Sequence, residues 1–157
     1  MSKKQTFEME FAGKQLIVET GELALQANAS CTVRYGDTVV LATAVMNKDA
    51  REGLDFFPLM VEFEEKMYAA GKIKGSRFVK REGRPTDEAV LTGRMIDRGL
   101  RPLFDQSIRR DVQVITSVLS FDEENDADVI AIIAASIVLH ISDIFRNFFS
   151  NLFKIFH

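Results

Sequence analysis

The side chains best suited to chemistry in this chain lie between Lys72 and Arg101. The stretch GSRFVKREGRPTDEAVLTGRMIDRGLRPLF, Gly75 to Phe104, opens with a glycine-punctuated loop carrying Lys80, Arg81 and Arg84. Guanidinium forks grip phosphate oxygens in pairs. Phe78, set among Arg77, Lys80 and Arg81, can stack on a base, a contact worth about 1–3 kcal/mol that tolerates any base sequence. The same ring is equally suited to anchoring the loop in a core. Further on, Arg94, Arg98 and Arg101 stand at i, i+4 and i+7 and so share one helical face. Each pair of like charges on an exposed helix costs about 0.2–0.5 kcal/mol. Something anionic must offset this, either a polyanion or local carboxylates such as Asp97. Spacing alone leaves both open, and a phosphate-rich polymer is the ligand class that loop and helix together suit.

The elements that would position these groups can be read from the same residues. Pro85 turns the chain into a helix with Thr86 as N-cap and Asp87 and Glu88 in its first turn, where the dipole favours acids. Ala89, Ile96, Leu100 and Leu103 fall on the opposite face and are expected in the core. Gly93 and Gly99 each cost a helix about 1 kcal/mol relative to alanine, which predicts close approach by a backbone or ligand. Pro102 ends the regular turns near Arg101. Upstream, Phe7, Met9 and Phe11 alternate with polar residues, Gly13 interrupts, and Leu16 and Val18 resume, the pattern of a β-hairpin. Leu23–Asn28 reads as an irregular or helical connection. Cys31, Val33 and Tyr35 alternate, Gly36-Asp37 turns, and Thr38–Val45 reads as a strand buried on both faces. Asn47–Gly53 is loop and Phe57–Phe63 a further strand.

Met67–Gly71 fits either a helical turn or an extended edge, with Tyr68 half-buried or a stacking surface. Lys72, Lys74 and the glycines at 71, 75 and 83 give the next segment the composition of a mobile loop. Val112–Leu119 is a buried strand. The acidic run DEENDAD, Asp122–Asp128, lacks the glycine and terminal glutamate of a calcium loop and reads as a solvated loop with a helix N-cap. From Asp126 or Asp128 a helix runs with Ile130, Ala134, Ile137 and Val138 on its core face.

Composition bounds the possibilities. At 157 residues, 46% apolar and 27% charged, the chain is about one domain with an ordinary globular balance. Its net charge of −3 means that any nucleic-acid function must come from a local patch. Cys31 is the single cysteine, which excludes an intrachain disulfide, offers no zinc spacing and suits a reducing cytosol. MSKKQTFEME has no apolar core of a signal peptide. Val129–Leu139 is shorter than the roughly 20 residues that cross a bilayer and is expected to be a core helix.

KREGRPTDEAVLTGRMIDRGLRPLF resembles a segment of the polynucleotide phosphorylase family, in the first of its two RNase PH-like core domains. GDTVVLATAV (Gly36–Val45), EEKMYAAGKI (Glu64–Ile73) and DVIAIIAASIVLHISDI (Asp128–Ile144) agree in the same order, so the resemblance runs from about Phe7 to Ile144. It implies an α+β fold, a mixed sheet packed against helices in the RNase PH-like arrangement and ending early. It implies a parent enzyme in which inorganic phosphate attacks the 3′-terminal linkage of single-stranded RNA and releases a nucleoside diphosphate, with Mg²⁺ as cofactor. A homotrimer, partners of the RNA degradosome type, a cytoplasmic location and a role in mRNA degradation are implied as well, with no membrane association. The aromatic-basic loop that grips RNA maps onto Phe78, Val79, Lys80 and Arg81, with Val79 where the family usually has a second aromatic. Arg84 extends that RNA-binding set, and contact of Arg94, Arg98 and Arg101 with RNA or phosphate is a hypothesis. Catalytic and metal-binding acids are expected in a second core domain, so none is assigned here.

The expected organisation is therefore an incomplete first RNase PH-like domain over 1–144 and a phenylalanine-rich tail over 145–157 that departs from the family. The tail, FRNFFSNLFKIFH, could form an amphipathic helix or reflect a frameshifted or truncated end. The expected function is the N-terminal RNA-binding part of a 3′→5′ phosphorolytic exoribonuclease, silent by itself. A standalone RNA-binding or assembly module and a self-sufficient RNase PH-type enzyme are the alternatives.

Overall fold

The computed structural model describes residues 4–73 and 84–144. The hairpin expected at the start is β1 (Gln5–Phe11) and β2 (Lys14–Thr20), paired antiparallel with Phe11 opposite Lys14. Its two-residue turn places Ala12 at φ +48° and Gly13 at φ +81°, the left-handed pair that matches the strands' twist. Leu23–Asn28 is a turn without helix, leading to β3 (Ala29–Tyr35) and β4 (Thr38–Met46). After β5 (Leu59–Glu65), Met67–Ala70 forms a short 3₁₀ turn, which settles the choice there. Tyr68 on that turn is exposed rather than half-buried.

Helix α1 (Asp87–Leu100) follows, then a 3₁₀ turn at Arg101–Leu103, β6 (Val112–Ser120) and α2 (Ala127–Ile141). The strands form one mixed sheet in the order β1-β2-β3-β4-β6-β5. All neighbours are antiparallel except β5 and β6, which run parallel. A parallel pair needs a long crossover, and α1 lies within it, against β5, while α2 packs on β3, β4 and β6.

Both helices cover the same face, and this corrects one expectation. Thr38, Val40, Ala42 and Ala44 of β4 are buried there, but Val39, Leu41 and Thr43 on the other face are only half-buried and Val45 is exposed. The unbroken apolar run reflects β-branched residues in a central strand, not two covering layers. On α2, Ile130, Ala134 and Val138 are buried and Ile137 is half-buried against the core. The Asn28 side chain fixes the end of this unit, donating to Asp143 Oδ1 at 3.0 Å and accepting from the Met46 N–H at 2.9 Å.

Leu103 is a second correction. It is exposed, and Phe104 fills the core in its place, its ring 4.9 Å from that of Phe57. The turn at Pro102 tightens to 3₁₀, which rotates each residue by about 120° instead of 100° and carries the following side chains out of the α-helical phase.

Candidate nucleic-acid interface

Local chemistry starts α1 as the sequence predicts. Thr86 Oγ1 accepts from the Ala89 N–H at 3.0 Å, with Asp87 and Glu88 in the first turn. Ala89, Thr92, Gly93, Ile96 and Leu100 form its buried face. Gly93 lies against β5, where a Cβ would sit 3.5 Å from the Phe63 nitrogen and the Val61 oxygen. Gly99 faces open space, so the expected close approach holds for the first glycine and not for the second.

The three arginines of the row part company. Arg101 is half-buried. Its Nε and a terminal nitrogen hold both oxygens of Asp97, at 3.0 and 2.7 Å, and its guanidinium also donates to the carbonyls of Phe57 and Leu59 at 3.3 and 3.1 Å. That fork is used up inside the domain. Arg94 and Arg98 are exposed and have no ion pair or hydrogen bond among the described residues. Arg84 is exposed and likewise without such a partner. Phe78, Lys80 and Arg81, with Arg77 and Lys74, lie outside the described residues.

Arg84 and Arg94 border adjoining depressions. One is a cleft of ≈ 480 Å³ between the Met67–Ala70 turn and the starts of α1 and α2, where Lys66, Lys72 and Arg84 meet Glu64, Asp126 and Asp128. The other is a groove between α1 and β5 with Arg94 on its wall. Glu64, Pro85 and Ala89 line both, so the two depressions adjoin. Their charge is mixed. The hydrogen bond from Lys66 holds the Glu64 carboxyl below the usual carboxylate range; partial burial opposes this and a bond from Ser117 assists it.

The acidic loop is more than a solvated cap. Asp122 accepts from the backbone N–H groups of Asp37, Glu124 and Asn125 and from the hydroxyl of Thr38. Partial desolvation pushes its pKa up, but the bonds from Asn125, Glu124 and Asp37 outweigh that and leave it far below the ordinary value. Asp126 caps α2 by position without a side-chain bond. Asp128 accepts from Thr92 Oγ1 at 2.9 Å and so ties α2 to α1. Glu124 and Asn125 are local partners within DEENDAD, but Asp37 and Thr38 at the start of β4 and Thr92 of α1 come from far along the chain and nothing in the run announces them. With Asp122 and Asp128 so engaged, and no group of three potential ligands brought together among the described residues, this loop does not fit a Mg²⁺ site. No described helix is long and apolar enough to cross a membrane.

A six-stranded mixed sheet with both helices on one face is the α+β architecture of an RNase PH-type domain. The chain belongs to that family: the family described as "3′ exoribonuclease family, domain 1" matches residues 12–144. Within it, the chain is similar to polyribonucleotide nucleotidyltransferases. It is 59% identical over 141 residues to that of Streptococcus agalactiae and 57% identical over 141 residues to that of Exiguobacterium sibiricum. These alignments cover 90% of this chain but 20% and 19% of the relatives, so the chain spans about a fifth of their length. Two solved structures share the fold at low identity. The Archaeoglobus fulgidus exosome with RNA bound to the active site matches at TM-score 0.60 and 18% identity, over 90% of this chain and 52% of that one. Rice (Oryza sativa) Rrp46 matches at TM-score 0.55 and 16% identity, over 88% and 55%.

Proposed function

We propose that this chain is the RNA-gripping part of a polyribonucleotide nucleotidyltransferase, a 3′→5′ phosphorolytic exoribonuclease. Arg94 and Arg98 carry the reading: they are exposed one turn apart, without a carboxylate partner among the described residues. Two like charges one turn apart cost the helix about 0.2–0.5 kcal/mol, which a bound polyanion would offset. Arg84 lines the cleft next to the groove that Arg94 borders, and Phe78, Lys80 and Arg81 belong to the proposed RNA-binding set by sequence.

In the parent reaction a phosphate oxygen attacks the terminal phosphorus and the penultimate 3′ oxygen leaves. The products are a nucleoside diphosphate and an RNA one residue shorter. Phosphate is the co-substrate, and Mg²⁺, which would help neutralise charge at the reacting phosphorus, finds its ligands outside this chain. This chain's own part is to hold the strand through its phosphates. Homotrimer assembly, degradosome-type partners, a cytoplasmic setting and a role in mRNA degradation complete the proposal, together with a domain ending near Ile144 followed by a distinct 145–157 tail.

Purified chain mixed with single-stranded RNA, phosphate and Mg²⁺ tests it. Binding without release of nucleoside diphosphate is expected. Phosphate-dependent release by this chain alone would make it a self-sufficient enzyme. Absence of RNA binding at low salt would refute the grip.

A further inference from the structure

Among the described residues strand β1 is an edge of the sheet, and its residues are exposed along its whole length. Phe7, Met9 and Phe11 lie on the helix-covered face, continuing the row of Leu16 and Val18 opposite them, but α2 does not reach that far. They remain 57%, 55% and 43% exposed. Thr6, Glu8 and Glu10 line the other face. Glu8 accepts only a neutral donor, the Gln15 amide at 2.7 Å, and Glu10 has no partner among the described residues.

The hairpin also fixes where the backbone points. A two-residue turn makes Phe11 and Lys14 a mutually hydrogen-bonded pair. The odd-numbered residues of β1 therefore bond to β2, and Thr6, Glu8 and Glu10 present their N–H and C=O groups outward. The opposite edge, β5, is treated differently, because Arg101 takes the carbonyls of Phe57 and Leu59 there. Such an exposed edge is a template for another strand.

Charge decides which strand. A second copy of β1 laid antiparallel and centred would set Glu8 against Glu8, and a shift toward the turn sets Glu8 against Glu10; like charges directly opposite are destabilising. The opposite shift sets Glu10 against Lys4, whose ammonium Glu19 and Glu22 already hold at 3.0 and 2.7 Å. An extended segment that alternates apolar with Lys or Arg side chains meets neither obstacle. Its apolar side chains would continue the Phe7–Met9–Phe11 row and its cations would face Glu8 and Glu10. We infer that the β1 edge is a docking site for an extended basic-apolar peptide segment of a partner protein, added as a seventh strand. This site lies at the far side of the sheet from α1 and stands apart from the proposed RNA interface.

Titrating the full chain with a short synthetic peptide alternating lysine and valine tests this, with the alternating glutamate–valine peptide as control. The lysine peptide should bind, slow amide exchange at Thr6, Glu8 and Glu10, and lose affinity in salt. Glu8→Lys with Glu10→Lys should weaken it by about tenfold or more and admit the glutamate peptide. Glu8→Pro removes one outward donor while sparing the hairpin's own bonds. It should weaken binding beyond Glu8→Gln, with the far-ultraviolet spectrum unchanged. Equal binding of both peptides, or protection elsewhere, would overturn the proposal. So would dimerisation abolished by Glu8→Pro, which would make the edge a self-association surface. Binding seen only after deletion of residues 145–157 would assign the edge to that segment instead.

Discussion

Arg101 closes on both carboxylate oxygens of Asp97, one helical turn before it, at 3.0 and 2.7 Å. The acid precedes the base by four residues, the favourable order along a helix, and the same guanidinium fastens α1 to the start of β5 through two carbonyls. The arginine row is thus divided between holding the domain together and facing outward.

Replacing Arg101 should therefore cost stability, and replacing its row-mates should not. Arg101→Ala is expected to lower the unfolding free energy by about 1–2 kcal/mol, less than a fully buried pair would because the fork is partly solvated. Arg94→Ala and Arg98→Ala should stay within about 0.5 kcal/mol of the parent. Urea midpoints at constant slope measure the difference, and equal losses at all three positions would contradict it.

RNA retention should show the reverse order. If Arg94 and Arg98 each neutralise one phosphate of a single strand, the slope of log affinity against log salt falls by about 0.7 for each one removed. Filter binding of oligoadenylate across a salt series reads this directly. Lys80→Glu with Arg81→Glu should weaken retention more than matching changes in the 122–128 loop.

Much of this was legible in the chain because the determining chemistry is local. The Ala12-Gly13 hairpin, the Thr86 cap and the inward face of α2 each follow from residues within a few positions of one another. Where a partner comes from far along the chain, sequence reading falls short. The use of Arg101 depends on carbonyls at 57 and 59, the role of Asp122 on β4, and the half-open second face of β4 on both helices choosing one side. Leu103 and Phe104 exchanged places through one tightened turn. The RNA-binding set at Phe78, Lys80 and Arg81 rests on sequence alone.

Three glycines should respond differently to alanine. At Gly99, helical and with open space around it, alanine is expected to stabilise by about 1 kcal/mol through helix propensity. At Gly36, φ is +62° and a Cβ would lie 2.6 Å from the Asn125 amide nitrogen and 2.9 Å from Asp122 Oδ2. Neither atom can yield easily: Asn125 is held by Lys14 at 2.9 Å and Asp122 by its ring of donors. Gly36→Ala should cost about 1–3 kcal/mol, more than Gly13→Ala, which is strained at φ +81° but meets nothing. Thermal or urea unfolding of the set ranks them.

Acid should find the Asp122 junction. Its folded pKa lies below the unfolded value of about 3.9, so in the window beneath that value the unfolded chain binds more protons and stability rises with pH. The contribution is complete above roughly pH 4–5 and is lost as pH falls through the folded pKa. Asp122→Asn should flatten the acid limb of a stability–pH curve. Parallel limbs in parent and variant would show that other carboxylates govern it.

The sheet order also sets a timetable for synthesis. β6 pairs with β4 on one side and β5 on the other, yet leaves the ribosome after both. Until it emerges, β5 has no neighbour and the first four strands form a separate meander, so the halves can join only when the last strand slots between them. Closing such distant segments is slow, and the waiting interval exposes two unsatisfied strand flanks at once, the condition in which unpaired edges are prone to aggregate.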